Sequence, residues 1–288
     1  MSDDERRRHG AAFDEMAAEY DRSRPAYPDE LVDRACAITG LAAGDRVLEI
    51  GCASGQLTRS LVTRGLRVTA VEPGERLVAL AGHNLGCSGA VKFVRARFED
   101  AELPAASFRA VFSAAAFHWV DPDVGWGKAA AALPYGGTLA LLQYVGLEEA
   151  RSAADQAALL AALARIVPEV AAAWPSYRDL AATLDGAERR RANVSEVWAW
   201  LASHDVARPE AADLFHDVRI AAVPTLLEQT ADELNALLCT ASFWRRISPE
   251  QQRAFECESV ALYERLGRPI RSSTVAVLVT ARRRRPRD

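Results

Sequence analysis

Short apolar segments alternate with helical segments over residues 45–144, and this alternation constrains the fold more than any other feature of the chain. Segments that suit buried strands lie at 46–50, 67–71, 91–94, 108–113 and 138–142. Segments with helical spacing separate several of them, at 56–64, 76–85 and 124–133. Because strands and helices alternate, the sequence favours crossover units on a parallel sheet that is covered on both faces.

The second half of the chain departs from this alternation. Residues 147–209 are rich in Ala and Leu at helical spacing and contain no convincing strand, so we interpret them as a helical insert over one end of the sheet. Strand-like residues return at 218–227, helices are expected at 230–243 and 249–266, and a β-branched strand at 273–280 ends the pattern.

The sequence therefore predicts an α/β fold, a Rossmann-like, doubly wound, mostly parallel seven-stranded sheet with a helical cap insert. We expect four parts along the chain. They are N-terminal clasp helices (1–40), a ligand-binding core (41–146), a cap insert on the substrate side (147–212) and the C-terminal part of the core sheet (213–288).

Charge and apolar content exclude several classes of partner. The formal net charge of −4 over 288 residues argues against nucleic acid as the main partner. We interpret the basic run Arg282–Arg285 as a solvated chain end. The sequence contains no apolar run of about 18 residues and no visible secretory signal, so we expect no membrane partner and a cytoplasmic location.

The cysteine pattern agrees with that location. Five cysteines form no CxxC pair, which predicts reduced thiols and no metal site. They are Cys36, Cys52, Cys87, Cys239 and Cys257.

The main functional motif is Glu49-Ile50-Gly51-Cys52-Ala53-Ser54-Gly55-Gln56, at a predicted strand-to-helix turn, followed by Glu72 at the end of the next strand. Glycines let the backbone turn tightly near a ligand, and the helix N-terminus offers free N–H groups to an anion. An acid at the tip of the second strand is suited to bind the hydroxyls of a ribose.

The motif lacks residues that dinucleotide sites and P-loops require, and this narrows the class of ligand. A dinucleotide site would have glycine at the positions of Ala53 and Gln56, and a P-loop would have a lysine near Gly55. Glu49 would repel a pyrophosphate but attract an ammonium group. The expected ligand combines a nucleoside, a carboxylate and an amine.

These features resemble the class I S-adenosylmethionine-dependent methyltransferases of the small-molecule type, whose first motif is usually written ExGxGxG. Glu72-Pro73 resembles the ribose-binding acid of that family. Four further segments are similar to family segments in order: Phe13-Asp14 through Arg24-Pro25-Ala26-Tyr27-Pro28, Arg97-Phe98-Glu99-Asp100, residues 113–121 (SAAAFHWVD) and residues 131–139 (AALPYGGTL).

The resemblance implies S-adenosyl-L-methionine as the cofactor and a role for each matching position. Glu49 would hold the aminoacyl end and Glu72 the ribose. Phe98 and Glu99 would surround the adenine, with Glu99 accepting a hydrogen bond from the amino group, and Ala114 would lie by the sulfonium. The full implied set is Tyr20, Arg24, Glu49, Gly51, Cys52, Ala53, Gly55, Gln56, Glu72, Pro73, Arg97, Phe98, Glu99, Ala114 and Ala115.

Ala53 departs from the family pattern, because glycine is common at its position. We expect Ala53 to have a negative φ, where a methyl group costs little. Cys52 is interpreted as a small residue that fits the turn.

Several residues have two interpretations. His118 follows a predicted strand end and is a candidate general base, or else a packing residue. Tyr20, Arg24 and Tyr27 would line the mouth of the substrate site, or form a structural clasp. Trp198 and Trp200 would form an aromatic substrate wall, or part of the core of the cap. The candidate substrate-binding residues are Tyr27, Trp119 and Trp198.

The sequence thus predicts methyl transfer from S-adenosylmethionine to a small-molecule acceptor, on O, N or C, with a biosynthetic role in secondary metabolism. One alternative is a protein on the same fold that binds the cofactor without methylating, as a cyclase, sensor or partner subunit. An NAD-dependent oxidoreductase is less favoured, because Glu49 and the missing glycine argue against it. Monomer and homodimer both remain open.

Overall fold

The computed structural model describes residues 3–86, 89–174 and 176–286. Within these ranges seven strands form one sheet in the order β3-β2-β1-β4-β5-β7-β6. Neighbouring strands from β3 to β5 are parallel, whereas β7 is antiparallel to both β5 and β6. The strands are β1 (Arg46–Ile50), β2 (Arg67–Val71), β3 (Val91–Val94), β4 (Ala110–Ala114), β5 (Thr138–Gly146), β6 (Phe215–Gln229) and β7 (Ile270–Arg283).

Helices cover both faces and the strand ends. The N-terminal and core helices are α1 (Asp3–Glu15), α2 (Ala17–Ser23), α3 (Asp29–Thr39), α4 (Gln56–Thr63), α5 (Glu75–Leu85) and α6 (Pro122–Ala132). Between β5 and β6 lie α7 (Ala153–Ile166), α8 (Pro168–Ala172), α9 (Leu180–Glu188), α10 (Val194–Ala202) and α11 (Ala211–Leu214). The C-terminal helices are α12 (Ala231–Cys239) and α13 (Pro249–Leu266). This arrangement confirms the predicted α/β, Rossmann-like fold and its helical insert.

The central strand β1 explains why the sheet is buried on both faces. Leu48 and Ile50 pack into a core shared with α6, and Val47 packs into a second core with α4. Parallel strands covered by helices on both sides require such continuous apolar runs. The strand order reverses next to β1, between β1 and β4, and a crevice at the carboxyl ends of the strands is expected there.

The basic run near the C-terminus corrects one prediction. Arg282 and Arg283 belong to β7, and the backbone N–H of Arg283 donates to the carbonyl of Gly137 at 2.8 Å. The N–H of Arg284 donates to the carbonyl of Leu214 at 2.8 Å. The expectation of a solvated end was wrong for these residues, because two neighbouring chain segments supply backbone partners.

Helix α12 is shorter than predicted. It starts at a capping box formed by Thr230 and Glu233 and ends at Cys239. The Arg24 guanidinium donates to the carbonyl of the next residue, Thr240, at 2.8 Å. A helix-end carbonyl needs a partner outside the helix, and here a distant side chain supplies it.

The insert is anchored to the sheet through Asp155 in the first turn of α7. The Asp155 carboxylate, 1% exposed, accepts hydrogen bonds from Arg268 at 2.7 and 3.0 Å and from the backbone N–H of Arg271 at 2.8 Å. Burial by itself would raise the pKa of Asp155, but these hydrogen bonds outweigh it and the pKa is lowered.

We expect Asp155→Ala to lower the free energy of unfolding by about 2–3 kcal/mol, because it leaves a cationic partner and a backbone donor unsatisfied; Arg268 is partly solvated, which keeps the loss below that of a fully buried pair. Since the pKa is lowered on folding, this contribution is complete above about pH 4 and is lost as the pH falls through the folded-state pKa. Urea denaturation at pH 7 and pH 3 measures both effects. Glu258→Ala, which breaks an exposed pair with Arg165, is the control and should change stability by less than about 0.5 kcal/mol.

The described cysteines Cys36, Cys52, Cys239 and Cys257 are free thiols, whereas Cys87 lies outside the described residues. No helix in the described ranges is long and apolar enough to cross a bilayer.

Candidate functional site

The turn between β1 and α4 brings the backbone close to the strand ends. Gly51 has a φ of 71°, and a Cβ built on it would lie 2.3 Å from the Cβ of Ala116. Only glycine fits so close to the segment that follows β4. Gly55, with a φ of 91°, precedes the first residue of α4.

Ala53, at the centre of this turn, does not have the backbone conformation predicted for it. Its φ is 47°, in the left-handed region, and not negative as expected. This conformation costs a non-glycine residue about 1 kcal/mol. The Ala53 N–H donates to Glu72 Oε2 at 3.0 Å, which offsets part of that cost.

Glu72 follows the end of β2 and holds the turn in place. Its Oε2 accepts from Ala53 N, and its Oε1 accepts from Gly74 N at 3.0 Å. The side chain is 6% exposed, and burial raises its pKa although both amide hydrogen bonds act to lower it. Each carboxylate oxygen keeps a second lone pair, so Glu72 can still accept from a ligand.

Glu49 is a buried carboxylate on β1. It is 1% exposed and accepts a hydrogen bond from Thr58 Oγ1 at 2.6 Å. Burial raises the pKa of Glu49 to about 7, against the effect of Thr58 and with a contribution from nearby Glu72. A cationic ligand group would favour the ionised form.

This pKa predicts pH-dependent binding of a ligand that carries an ammonium group. Below about pH 7 Glu49 is largely protonated, so affinity should fall by up to tenfold per pH unit. Calorimetric titration with S-adenosylhomocysteine at pH 6.0 and 7.2 tests this expectation. Glu49→Gln should weaken binding and abolish the difference between the two pH values; a variant that keeps the difference would show that another group titrates.

The predicted adenine segment lies at the start of the next crossover. Phe98 is buried, and Glu99 Oε1 accepts from the Asp121 N–H at 2.8 Å and from Arg97 Nη2 at 3.0 Å. Arg97 also pairs with Asp3 of α1 at 2.7 Å. Glu99 therefore joins the segment after β3 to the loop before α6, and its remaining lone pairs are available to a ligand donor.

Helices α1 and α2, the clasp, are tied to these loops by polar contacts. Asp14 Oδ1 accepts from the backbone N–H of Leu77, near the start of α5, at 3.0 Å. Asp21 Oδ1 accepts from Asn84 Nδ2 at 3.0 Å, and Arg6 pairs with Asp121 at 2.5 Å. The clasp thus closes over the strand ends.

A cavity of about 1400 Å³ lies under the clasp and the cap. It is lined by all of the predicted cofactor-binding residues except Gly55, whose surroundings are the side chains of Leu85 and Ala81. Tyr27 and Trp119, two of the predicted substrate-binding residues, also line it.

The third substrate-binding prediction, Trp198, was wrong. Its side chain is completely buried in the main core and is absent from the cavity lining. Trp200, on the other side of α10, contacts the Arg178 and Arg190 guanidinium groups and also lies outside the lining. The packing of α10 against the core places Trp198 inside that core, and neither tryptophan ring reaches the cavity.

Residues that sequence analysis did not identify complete the cavity. They come from β5 to β7, the cap, α12 and the segment after it, and include Gln143, Tyr144, Val170, Trp174, His204, Leu227, Leu238, Phe243 and Thr274. The aromatic residues of the cap were the one sequence signal for this part of the cavity. They led to the selection of Trp198, whereas Trp174 lines the cavity.

Two histidine rings meet where the core and the cap face each other. His118, in the short turn Phe117–Trp119 after β4, stacks on His204 with ring centroids 4.5 Å apart and planes 8° apart. His118 is 6% exposed, and its Nδ1 has no hydrogen-bond partner among the described residues. Burial, His204 and Arg24 hold the pKa of His118 well below its usual value, so the ring is neutral at neutral pH.

The three predicted mouth residues, Tyr20, Arg24 and Tyr27, have structural contacts as well as cavity positions. Arg24 donates to Thr240 Oγ1 at 3.0 Å and lies over the Tyr20 ring. Tyr27 stacks on Tyr144 with ring centroids 4.9 Å apart.

Comparison with known proteins agrees with this architecture. Residues 48–141 match the family model described as "Methyltransferase domain". An uncharacterized methyltransferase of Mycobacterium tuberculosis is 36% identical over 137 residues, which are 48% of this chain and 54% of that protein. The chain thus spans about half the length of the curated relative it matches.

Solved structures show the same fold. A protein of Anaeromyxobacter dehalogenans assigned as a type II methyltransferase has a TM-score of 0.55 at 22% identity, over 92% of this chain and 99% of that one. Phosphoethanolamine N-methyltransferase 2 of Haemonchus contortus, solved with S-adenosyl-L-methionine, has a TM-score of 0.50 at 14% identity, over 94% of this chain and 57% of that one.

Residues 48–141 thus match a methyltransferase domain, and the doubly wound sheet that contains them is the fold of solved structures described as methyltransferases.

Proposed function

We propose that the protein transfers a methyl group from S-adenosyl-L-methionine to a small-molecule acceptor. The observation that carries the proposal is the pair of buried carboxylates, Glu49 and Glu72, on either side of a positive-φ glycine turn that lines one large cavity. A zwitterionic amino acid joined to a nucleoside matches both carboxylates, as neither a pyrophosphate nor a plain nucleotide does.

The residues present fit this cofactor. Glu49 would bind the ammonium group, and Glu72 would accept from the ribose hydroxyls while the amides of Ala53 and Gly74 fix its orientation. Phe98 and Glu99 would enclose the adenine, and Ala114 at the end of β4 would border the reactive end. When bound, the cofactor supplies a methyl group on a positively charged sulfur.

The protein then needs to place the acceptor's lone pair in line with that methyl group and to exclude water. The clasp covers the cavity from one side and the cap from the other, which serves both needs. His118, neutral and next to the core strands, is the candidate group for taking a proton from the acceptor.

A small-molecule acceptor is supported by the size of the cavity. Its volume of about 1400 Å³ exceeds the roughly 300–1000 Å³ of common ligand pockets and leaves room for a second compound beside the cofactor. The net charge of −4 also disfavours nucleic acid as the acceptor. The described cysteines are free thiols, as expected in a reducing compartment, and this supports our placement of the activity in the cytoplasm.

Calorimetric titration with S-adenosylmethionine, S-adenosylhomocysteine and NADH tests the cofactor. We expect micromolar binding of the first two and none of NADH. Release of S-adenosylhomocysteine in the presence of a panel of small molecules then tests methyl transfer. Binding of NADH alone would overturn the proposal, and cofactor binding without transfer to any acceptor would favour a non-methylating cofactor-binding protein.

A further inference from the structure

The part of the cavity that faces the cap, the acceptor chamber, has a wall chemistry of its own. We define the chamber by Tyr144, Val170, Trp174, His204, Leu238 and Phe243, which line the cavity from β5, the cap and the segment around α12. These residues lie outside the strand-end turn that would hold the cofactor.

The polar ends of the chamber's large rings are already bound elsewhere. Trp174 Nε1 donates to the hydroxyl of Tyr177 at 3.2 Å, and Tyr144 donates from its hydroxyl to the carbonyl of Ala26 at 2.8 Å. Phe243 meets Trp174 edge to face, with ring centroids 5.3 Å apart. The chamber therefore offers mainly carbon surface, which suits a flat apolar body.

The charges around the chamber disfavour a cationic acceptor. Burial and His204 lower the pKa of His118 most, and Arg24 adds to that effect. The Arg24 guanidinium is held in place by Thr240. Glu169 and Arg246, the other charged residues of this part of the lining, are exposed and opposite in sign. An ammonium group at the reacting end would thus lie near a fixed positive charge without a buried carboxylate of its own.

His118 supplies a buried polar atom without a partner. Its Nδ1 makes no hydrogen bond within the described residues, although the side chain is more than nine-tenths buried. The His118 residue lines the cavity, and a buried polar atom without a partner calls for an explanation such as a functional role. The stacked ring of His204 holds the imidazole in place from the cap side.

We propose that the acceptor is a neutral aromatic compound whose reacting group is a hydroxyl, and that His118, positioned by His204, takes the hydroxyl proton. This inference rests on the proposed function. The acceptor oxygen forms the new O–CH₃ bond with its lone pair, the S–CH₃ bond breaks with its electron pair left on sulfur, and the proton moves to an imidazole nitrogen of His118. The imidazolium then returns its proton to water.

A matched set of naphthalene derivatives tests the class of acceptor: 2-naphthol, 2-naphthoate and 2-naphthylmethylammonium. Each is titrated by calorimetry into the protein saturated with S-adenosylhomocysteine. We expect 2-naphthol to bind at least about tenfold more tightly than either charged analogue. The ammonium group would lie near the positive charge of Arg24, and the carboxylate would lose its hydration in the apolar chamber while Arg24 Nε and Nη2 already donate to Thr240. Equal or tighter binding of a charged analogue, or no binding of 2-naphthol, overturns the inference. Loss of S-adenosylhomocysteine binding itself would instead count against the proposed function.

Trp174→Ala tests whether the chamber is where 2-naphthol binds. We expect its affinity to fall by about tenfold, with the affinity for S-adenosylhomocysteine unchanged. Tyr135→Ala removes an exposed ring outside the cavity and is the matched control. Equal affinities in the two variants would overturn the assignment of the chamber.

The histidine pair is tested by His204→Phe, which keeps a flat ring but removes the imidazole. Burial lowers the pKa of His118 most, and His204 and Arg24 add to that effect, so removing the His204 imidazole should raise the pKa. The acid limb of the pH–rate profile for 2-naphthol should then move to higher pH, and an NMR titration of the His118 ring should show the same shift without turnover. If His204 has a purely structural role, neither the acid limb of the profile nor the NMR titration should shift. That result overturns the positioning role of His204.

His118→Asn should lower kcat for 2-naphthol by about 10²–10⁴-fold while leaving the affinity for S-adenosylhomocysteine unchanged. Full kcat in this variant overturns the role of His118. His83→Asn, on an exposed position of α5, is the control and should keep the wild-type profile.

Discussion

Gly51→Ala is expected to lower the free energy of unfolding by about 3 kcal/mol and to abolish measurable cofactor binding. The added Cβ would lie 2.3 Å from the Cβ of Ala116, so the β1–α4 turn or the segment after β4 must move. A φ of 71° adds strain of about 1–2 kcal/mol for any residue with a Cβ, and overpacking adds about 1–3 kcal/mol. Urea denaturation and titration with S-adenosylhomocysteine measure the two effects.

Gly44→Ala separates strain from contact. Gly44 also has a positive φ, 91°, but a Cβ built there meets no atom within 4 Å. We expect it to cost only about 1–2 kcal/mol and to leave cofactor affinity unchanged. If both variants lose the same stability and both bind the cofactor normally, the close approach of Gly51 to Ala116 does not shape the site.

Glu72→Ala should weaken cofactor binding by roughly 100-fold, about 3 kcal/mol. The substitution removes the acceptor for the ribose hydroxyls and leaves the N–H groups of Ala53 and Gly74 without their present partner. Because Ala53 is held at a positive φ partly by that hydrogen bond, the turn should also become less ordered. Calorimetry with S-adenosylhomocysteine measures the affinity, and hydrogen exchange of the Ala53 and Gly74 amides measures the order of the turn.

Two further variants provide comparisons: Glu72→Gln is the conservative substitution, and Glu102→Ala is the control. Glutamine keeps an acceptor oxygen, so we expect an intermediate loss of affinity. Glu102, an exposed acid outside the cavity lining, should tolerate alanine without a change in binding. Wild-type affinity in Glu72→Ala would refute the assignment of this side chain to the cofactor.

The extent of sequence-based prediction differs between the two halves of the cavity. The glycine turn, Glu49 and Glu72 are close in sequence, and β1, α4 and β2 bring them together by consecutive local structure. Their chemistry could therefore be interpreted before the fold was known. The mostly parallel sheet followed from the alternation of apolar and helical segments, and the helical insert from the departure from that alternation.

The chamber residues are far apart in the chain and meet only through packing. His118 and His204 are separated by 86 positions, and no spacing rule links an imidazole after β4 to one after α10. Trp198 and Trp200 illustrate the same limit, because a tryptophan-rich helix does not reveal which of its faces the core will bury. Ala53 shows it for the backbone, since a hydrogen bond from a distant carboxylate stabilises a φ that alanine seldom adopts.

By itself, then, the sequence determined the doubly wound sheet and the position and chemistry of the proposed cofactor end, because local periodicity and short-range motifs encode them. Only the tertiary structure decided the acceptor chamber, the pairing of His118 with His204, and the burial of Trp198. The reason is physical: these features depend on which surfaces of the cap and the sheet exclude water together, and that choice is made by packing across the whole chain.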